Sequence, residues 1–112
     1  MTIRVRYDHW YPKLIKVGAI TLYPFILISG TKEEAIRDQI LNHEWIHVNQ
    51  VRSLGWLRFY GSYLWKYFKN YLKSRDQFIA YMNISYEQEA YAGQDSFELP
   101  EEARKAGGYE PS

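Results

Sequence analysis

The stretch ILNHEWIHVNQ, residues 40–50, contains two of the three histidines in the chain. His43 and His47 are four residues apart, and the apolar residues around them recur with the period of a helix. On a helix this spacing places both imidazoles on one face, one turn apart, where they can bind the same metal ion. Glu44 lies about 100° further round the helix, so it is not a ligand but can reach a water at the ion. The H-E-x-x-H pattern therefore indicates a metal site with an adjacent general base.

The helix that carries these residues has clear signals at both ends. At TKEE, Thr31 is a predicted N-cap and Glu34 stands at the capping-box position. The 3.6-residue period continues to about Leu54, and Gly55 is the expected stop. We therefore predict one continuous helix from Thr31 to Leu54.

A second helix is predicted from Trp56 to Lys73, and it is strongly amphipathic. Basic and small polar residues lie on one side, whereas the other side carries Trp56, Tyr60, Tyr63, Leu64, Tyr67, Phe68, Tyr71 and Leu72. We expect this aromatic side to be core, because a domain of 112 residues must bury its large apolar groups. The alternative is a helix that lies on a membrane surface with its aromatic side toward the lipid.

The first thirty residues have the pattern of strands. Residues 3–7 alternate apolar and basic side chains, and residues 14–29 are rich in β-branched and aromatic residues. Because Pro24 cannot donate to a β-ladder, we expect PFILIS, residues 24–29, to be an edge strand. Such an edge can bind a peptide by β-augmentation.

The last third of the chain contains two further helix signals. Residues 74–84 look like a connection, after which a third helix is predicted over residues 85–94, with Ser85 and Gln88 as a capping box. A short final helix is predicted between Pro100 and Gly107.

A catalytic zinc site normally takes three protein ligands, so a third ligand is needed. The chain has no cysteine, and His9 is the one remaining histidine, so a carboxylate from a later helix is the better source. Glu87 and Glu89 in YEQEAY are the candidates. Glu87 is preferred because Ala90 lies on the same face and its small side chain lets two helices approach closely.

HEWIH followed at a distance by YEQEAY resembles the gluzincins, which are zinc peptidases whose third ligand is a glutamate. In so short a chain the pattern is most similar to the minigluzincins, minimal scaffolds like the catalytic cores of certain integral-membrane metallopeptidases. The resemblance covers roughly residues 14–95 and implies that His43, His47 and Glu87 bind Zn²⁺ and that Glu44 is the general base and acid. Many related membrane peptidases have Asp four residues after the ligand glutamate, where this chain has Tyr91.

The resemblance implies hydrolysis of peptide bonds by a zinc-activated water that Glu44 deprotonates. A further donor to the oxyanion is expected from Tyr81, Tyr86 or an arginine such as Arg75, and the sequence does not rank them. Asn49 and Gln50, just after the second histidine, either orient the site or are solvent-exposed.

The predicted fold class is α+β of zincin-like type. A small antiparallel β-ribbon or sheet is followed by the active-site helix, the aromatic helix, the glutamate helix and a short C-terminal helix. We expect a single domain over residues 1–112. In it, residues 1–30 form a β-rich rim, residues 31–96 a helical metal-binding core and residues 97–112 a tail.

The composition of the chain bears on its partners and on the cellular compartment in which it acts. Fourteen Lys and Arg against 13 Asp and Glu give no electrostatic reason to expect a nucleic-acid partner. The lack of cysteine agrees with a reducing compartment. The first residues do not resemble a signal peptide, and no apolar run is long enough to span a membrane. We therefore expect a cytoplasmic monomer that acts on a peptide or protein substrate.

Two other functions compete with the peptidase. One is a zinc-stabilised binding or regulatory module that does not turn over a substrate. The other is a metal-free aromatic module that binds a membrane surface or a partner helix. A latent form of the peptidase, a zymogen, is a further hypothesis, because the tail FELPEEARKAGGYEPS, residues 97–112, is long enough to cross a short cleft.

Overall fold

The computed structural model describes residues 2–109. It is α+β, as predicted, with a small sheet followed by helices. The elements in chain order are β1 (Arg4–Arg6), α1 (Trp10–Leu14), β2 (Ala19–Leu22), β3 (Phe25–Ile28), α2 (Lys32–Arg37), α3 (Ile40–Leu54), α4 (Trp56–Ser74), α5 (Gln77–Met82), α6 (Ser85–Gly93) and α7 (Glu101–Gly107).

The three strands form a mixed sheet in the order β1-β3-β2. β1 is parallel to β3, with Val5 opposite Ile26, whereas β2 is antiparallel to β3. The predicted antiparallel pairing is therefore confirmed for β2 and β3 and wrong for β1. The prediction that PFILIS is an edge strand is therefore wrong, because β3 is the central strand. Pro24 lies just before β3, so its missing N–H removes no ladder hydrogen bond, and its carbonyl accepts from the Arg4 backbone N–H at 2.9 Å.

The predicted continuous helix from Thr31 to Leu54 is in fact two helices. The Thr31 and Glu34 capping box is present and starts α2, and Gly55 ends α3 with a φ of 84°. Between the helices the chain turns at Gln39, whose φ of 56° is left-handed and cannot continue a right-handed helix. The turn lets buried residues of both helices, such as Ala35 and Leu41, enter one core.

Two short helices were not predicted, and each has a side-chain cap. The His9 Nδ1 accepts from the Tyr11 backbone N–H before α1, and Asp76 accepts from the Ile79 N–H before α5, within the segment expected to be a connection. The third predicted helix is present as α6, but the expected capping box at its start is not formed. Instead, Lys66 Nζ donates to Ser85 Oγ at 2.7 Å.

The core lies between the sheet and one face of α3. Leu41, Trp45 and Val48 of α3 are buried against Ile26 and Ile28 of the central strand. Their positions place them on the side of α3 opposite His43 and His47, since successive residues of a helix are about 100° apart. α3 therefore has one face in the core and one face available for the site.

The tail packs against the core face of α3 and does not cross the face that carries the histidines. Ala103 is fully buried in the core, Arg52 pairs with Glu102 at 2.7 Å, and Tyr7 Oη donates to the Gly107 carbonyl at 2.6 Å. The described part of the tail, which ends at residue 109, does not cover the three clustered residues, and latency through this tail stays a prediction. Residues 110–112 of the predicted tail lie outside the described residues.

The prediction that the aromatic side of α4 is core is also largely wrong. Phe59 is the one residue of α4 that is buried. α4 packs against α3 and α5, and this leaves much of its apolar surface in solvent. Within the described part of the chain, no helix is long and apolar enough to cross a membrane.

Substitution of Gly107 tests the close packing of α7 on α3. A Cβ at position 107 would lie 2.6 Å from Leu41 Cδ2, so Gly107→Ala should lower the free energy of unfolding by about 1–3 kcal/mol through overpacking. Gly61 in α4 is the matched control, because a Cβ there meets nothing within 4 Å. Gly61→Ala should raise stability by about 0.5–1 kcal/mol. Urea denaturation measures both, and equal effects would contradict the packing of α7.

Candidate metal centre

The structure brings together the three residues predicted as metal ligands. His43 and His47 project from α3, and Glu87 projects from the first turn of α6. The two Nε2 atoms are 3.3 Å apart, and Glu87 Oε1 lies 2.9 Å from the first and 3.0 Å from the second. All three side chains are buried, with 4% to 8% of each exposed.

Glu89, the competing candidate, does not join this cluster. It is exposed on α6 and accepts a hydrogen bond from Gln50 Nε2 at 2.8 Å. Ala90 is fully buried, in agreement with its expected place at the contact between helices. The two glutamates of YEQEAY thus have different neighbours, and Glu87 is the one near the histidines.

Two glutamines fix the orientation of the imidazoles. His47 Nδ1 lies 2.8 Å from Gln50 Oε1, and His43 Nδ1 lies 2.8 Å from Gln94 Oε1. Gln50 Nε2 donates to the Glu89 carboxylate and to the Tyr86 carbonyl, so the oxygen of the Gln50 amide must face His47. The His47 Nδ1 therefore carries a proton that it donates to Gln50. Of the two residues suggested for this role, Gln50 takes it and Asn49 is exposed.

This tautomer determines what the Nε2 atoms can do. A neutral imidazole protonated at Nδ1 has only a lone pair at Nε2, and a carboxylate oxygen offers only lone pairs. Lone pairs so close together in a buried site repel unless a cation or a proton lies between them. The donor set therefore calls for a positive charge among the three atoms.

The pKa shifts of His47 and Glu87 also favour a positive charge among these three side chains. Burial opposes protonation of His47, but the hydrogen bond to Glu87 and the charges of Glu44 and Glu87 outweigh it and raise the pKa of His47 to about 9. Burial would raise the pKa of Glu87, but its hydrogen bonds with His43 and His47 hold that pKa well below the usual range. The raised pKa favours the protonated form of His47, which supplies positive charge next to the Glu87 carboxylate.

The spacing of the three atoms fits a tetrahedral zinc ion. Zn²⁺ binds histidine nitrogen and carboxylate oxygen at about 2.0–2.2 Å, which places neighbouring donors roughly 3.3 Å apart in a tetrahedron. The separations between Glu87 Oε1 and the two nitrogens are a few tenths of an ångström shorter than this. Two imidazoles and one carboxylate are also a donor set found in catalytic zinc sites.

Tyrosine hydroxyls complete the surroundings of Glu87. Tyr63 Oη donates to Glu87 Oε2 at 2.7 Å, and Tyr81 Oη donates to Glu87 Oε1 at 3.0 Å. The sequence suggested Tyr81 as a donor, but it gave no signal that singles out Tyr63 among 11 tyrosines. Tyr91 lies with its ring centroid 4.3 Å from that of His43, so its ring lies against the site.

Within the described residues, the side chains of the other suggested donors do not hydrogen-bond to the three ligands. Tyr86 Oη is paired with Ser62 Oγ at 2.7 Å, and its ring stacks on Tyr63. Arg75 is the exposed C-cap of α4, with a left-handed φ of 57°. Of the three candidates, Tyr81 is the one whose hydroxyl reaches a ligand.

Glu44 is buried beside the cluster and held by the sheet. Thr21 Oγ1, on β2, donates to Glu44 Oε1 at 2.8 Å. Burial raises the pKa of the Glu44 carboxyl, although the charge of the neighbouring His47 opposes this. Thr21 was not predicted as a site residue, because nothing in a strand pattern distinguishes a threonine that meets a helix 23 residues later.

The strand next to the site is β2, and part of its outer edge is already bonded. Tyr60 Oη donates to the Thr21 carbonyl at 2.7 Å and accepts from the Tyr23 backbone N–H at 2.9 Å. Peptide binding to the edge of PFILIS is excluded by the central place of β3. A peptide that adds to this sheet near Glu44 has to use β2, where Tyr60 occupies two backbone groups.

A cavity of about 800 Å³ lies on another side of α3, between α3, α6 and the start of the tail. Its lining includes Gln50, Tyr86, Glu89 and Phe97, but neither histidine and neither Glu44 nor Glu87. The cavity and the three clustered residues therefore lie on different sides of α3.

No protein-family model matches the chain, and neither a curated protein nor a solved structure matches it. The resemblance to the gluzincins rests on the segments HEWIH and YEQEAY of this sequence.

The contact between Thr21 and Glu44 can be tested in metal-free protein. Thr21→Val keeps the shape and strand preference of the side chain but leaves a buried carboxyl without its donor, so the free energy of unfolding should fall by roughly 1–3 kcal/mol. Thr2→Val, at an exposed position, is the matched control and should change little. Urea denaturation in the presence of a chelator measures both, and equal stability of the two variants would contradict this contact.

Proposed function

We propose that this protein is a zinc-dependent peptidase of gluzincin type. One observation carries the proposal: two imidazole nitrogens and a carboxylate oxygen converge within 3.3 Å, and a buried carboxyl, Glu44, follows the first histidine directly. The donor set suits Zn²⁺, and three ligands leave a fourth place for water or substrate.

In this proposal His43, His47 and Glu87 hold the zinc ion. Gln94 and Gln50 keep the imidazoles turned with Nε2 toward it, since each accepts the proton of the opposite ring nitrogen. When bound, zinc supplies Lewis acidity, which lowers the pKa of water and polarises a peptide carbonyl.

Glu44 is the proposed general base and acid. Thr21 holds one carboxylate oxygen, Oε1, and so leaves Oε2 to accept a proton from the attacking water. A bond then forms between the water oxygen and the carbonyl carbon, and the bond from that carbon to the amide nitrogen breaks. Glu44 returns its proton to the leaving nitrogen, so the carboxylate is regenerated.

The proposed substrate is a peptide or protein, without assignment of sequence preference. Tyr81 Oη, 3.0 Å from Glu87 Oε1, is the tyrosine best placed to donate to the carbonyl oxygen during attack. The lack of cysteine agrees with a reducing compartment, and we propose that the protein acts in the cytoplasm as a monomer without a nucleic-acid partner.

A second candidate function is a zinc-stabilised binding module without turnover. The burial of the centre favours it, because the three ligand side chains are at most 8% exposed and the large cavity lies elsewhere. In that case zinc would join α3 to α6 and stabilise a small domain.

Glu44→Gln tests the peptidase directly. The substitution keeps the size of the side chain, so the variant should retain zinc by elemental analysis, whereas hydrolysis of a mixture of unfolded peptides should fall at least 100-fold. Glu33→Gln, the same change at an exposed position on α2, should leave both unchanged. Hydrolysis by Glu44→Gln at the native rate would refute the assigned role.

His47→Ala tests metal binding by the cluster. It should lose zinc, and because metal binding is coupled to folding, it should also melt at a lower temperature than the native protein. A native protein that contains zinc and is stabilised by it, yet cleaves no peptide, would support the module without turnover over the peptidase.

The orientation of His47 by Gln50 gives a further prediction. Gln50→Met removes the acceptor for Nδ1–H at similar volume, and zinc affinity should fall about 10–100-fold. Gln88→Met, on the exposed side of α6, is the control and should bind zinc as the native chain does. Titration against a chromophoric chelator measures the affinities, and unchanged affinity in Gln50→Met would contradict this role.

A further inference from the structure

α4 carries a row of large apolar side chains in solvent. We name as the apolar stripe Leu57, Leu64, Trp65, Phe68 and Leu72, each of which is between 48% and 70% exposed. Successive helix residues are about 100° apart, so these five positions fall within an arc of about 100°. A contiguous apolar patch of this kind is unusual on a free surface and indicates that something covers it.

The polar residues beside the apolar stripe are basic. Arg58, Lys69 and Lys73 occupy the next arc of the helix, and no ion pair within residues 2–109 includes any of them. Residues 45–86 contain six Lys and Arg but a single acid, Asp76, although the whole chain has a net charge of only +1. The surface that presents the apolar stripe therefore favours an anionic partner.

Tyrosines line the other side of the apolar stripe. Tyr60, Tyr67 and Tyr71 are half-buried, and the rings of the last two stack with centroids 6.4 Å apart. Tyrosine and tryptophan suit a boundary between apolar and aqueous surroundings. The order across the helix is thus basic, apolar and aromatic, which is typical of a helix that lies in the plane of a bilayer interface.

We propose that the apolar stripe of α4 docks on an anionic lipid surface, with the helix parallel to the membrane. Leu64, Trp65 and Phe68 enter the boundary between headgroups and acyl chains, while Lys69 and Lys73 contact lipid phosphates or carboxylates. A second copy of the chain fits this surface less well, because pairing two α4 helices would bring their uncompensated cations together. The proposal does not depend on the metal centre or on peptidase activity.

Co-sedimentation with vesicles tests the proposal. The native protein should bind phosphatidylcholine vesicles that contain phosphatidylserine far better than vesicles of phosphatidylcholine alone, and added salt should weaken the binding. Trp65→Ser should weaken binding roughly tenfold by loss of apolar burial. Lys69→Gln and Lys73→Gln should each weaken it roughly fivefold.

Matched controls locate the binding surface. Trp10→Ser removes a similarly exposed tryptophan from α1, and Lys13→Gln with Lys16→Gln removes two charges away from α4. These controls should bind as the native protein does, and circular dichroism should show that every variant is folded. Equal loss of binding in Trp10→Ser and Trp65→Ser would overturn the assignment to α4.

Two other results would overturn the proposal. One is a native protein that binds neither kind of vesicle. The other is a native protein that is dimeric without lipid while Trp65→Ser is monomeric, because the apolar stripe would then be a contact between copies of the chain. Loss of vesicle binding without loss of zinc or peptide hydrolysis in Trp65→Ser would separate this surface from the proposed catalytic function.

Discussion

A buried group of lone pairs is the constraint on which this structure depends. The Nε2 atoms of two histidines and one oxygen of Glu87 face one another within 3.3 Å, and glutamines fix the protons of the rings on the far side. Such a group needs a cation or a proton at its centre. A bound metal ion would satisfy it and would also join α3 to α6, which gives the site a structural role besides any chemical one.

α3 reconciles this polar site with a small core by using two opposite faces. Leu41, Trp45 and Val48 pack against the sheet and α7, while His43 and His47 point to α6. The tail therefore packs against the face of α3 that is opposite the two histidines. On the other side, Tyr63 and Tyr81 donate hydrogen bonds to Glu87. A row of apolar residues of α4 is left in solvent.

Three predictions were wrong because burial, strand order and helix breaks depend on how distant segments pack together. Periodicity identified α4 and its apolar side, but burial depends on which elements pack against a helix, and here they fully bury only Phe59. Pro24 suggested an edge strand, yet the proline lies outside the ladder, so β3 is free to be central. The break between α2 and α3 was missed because Gln39, a residue that normally favours helix, adopts a left-handed conformation for the sake of packing.

The sequence by itself determined the fold class, most helix boundaries and the identity of the three clustered residues, because spacing along a helix and the small Ala90 beside Glu87 are local properties. Tertiary structure alone decided which groups support them. Thr21, Tyr63 and Gln94 reach the site from β2, α4 and the end of α6, and nothing local marks them. A hydrogen bond between distant segments depends on how those segments pack, and packing is a property of the whole chain.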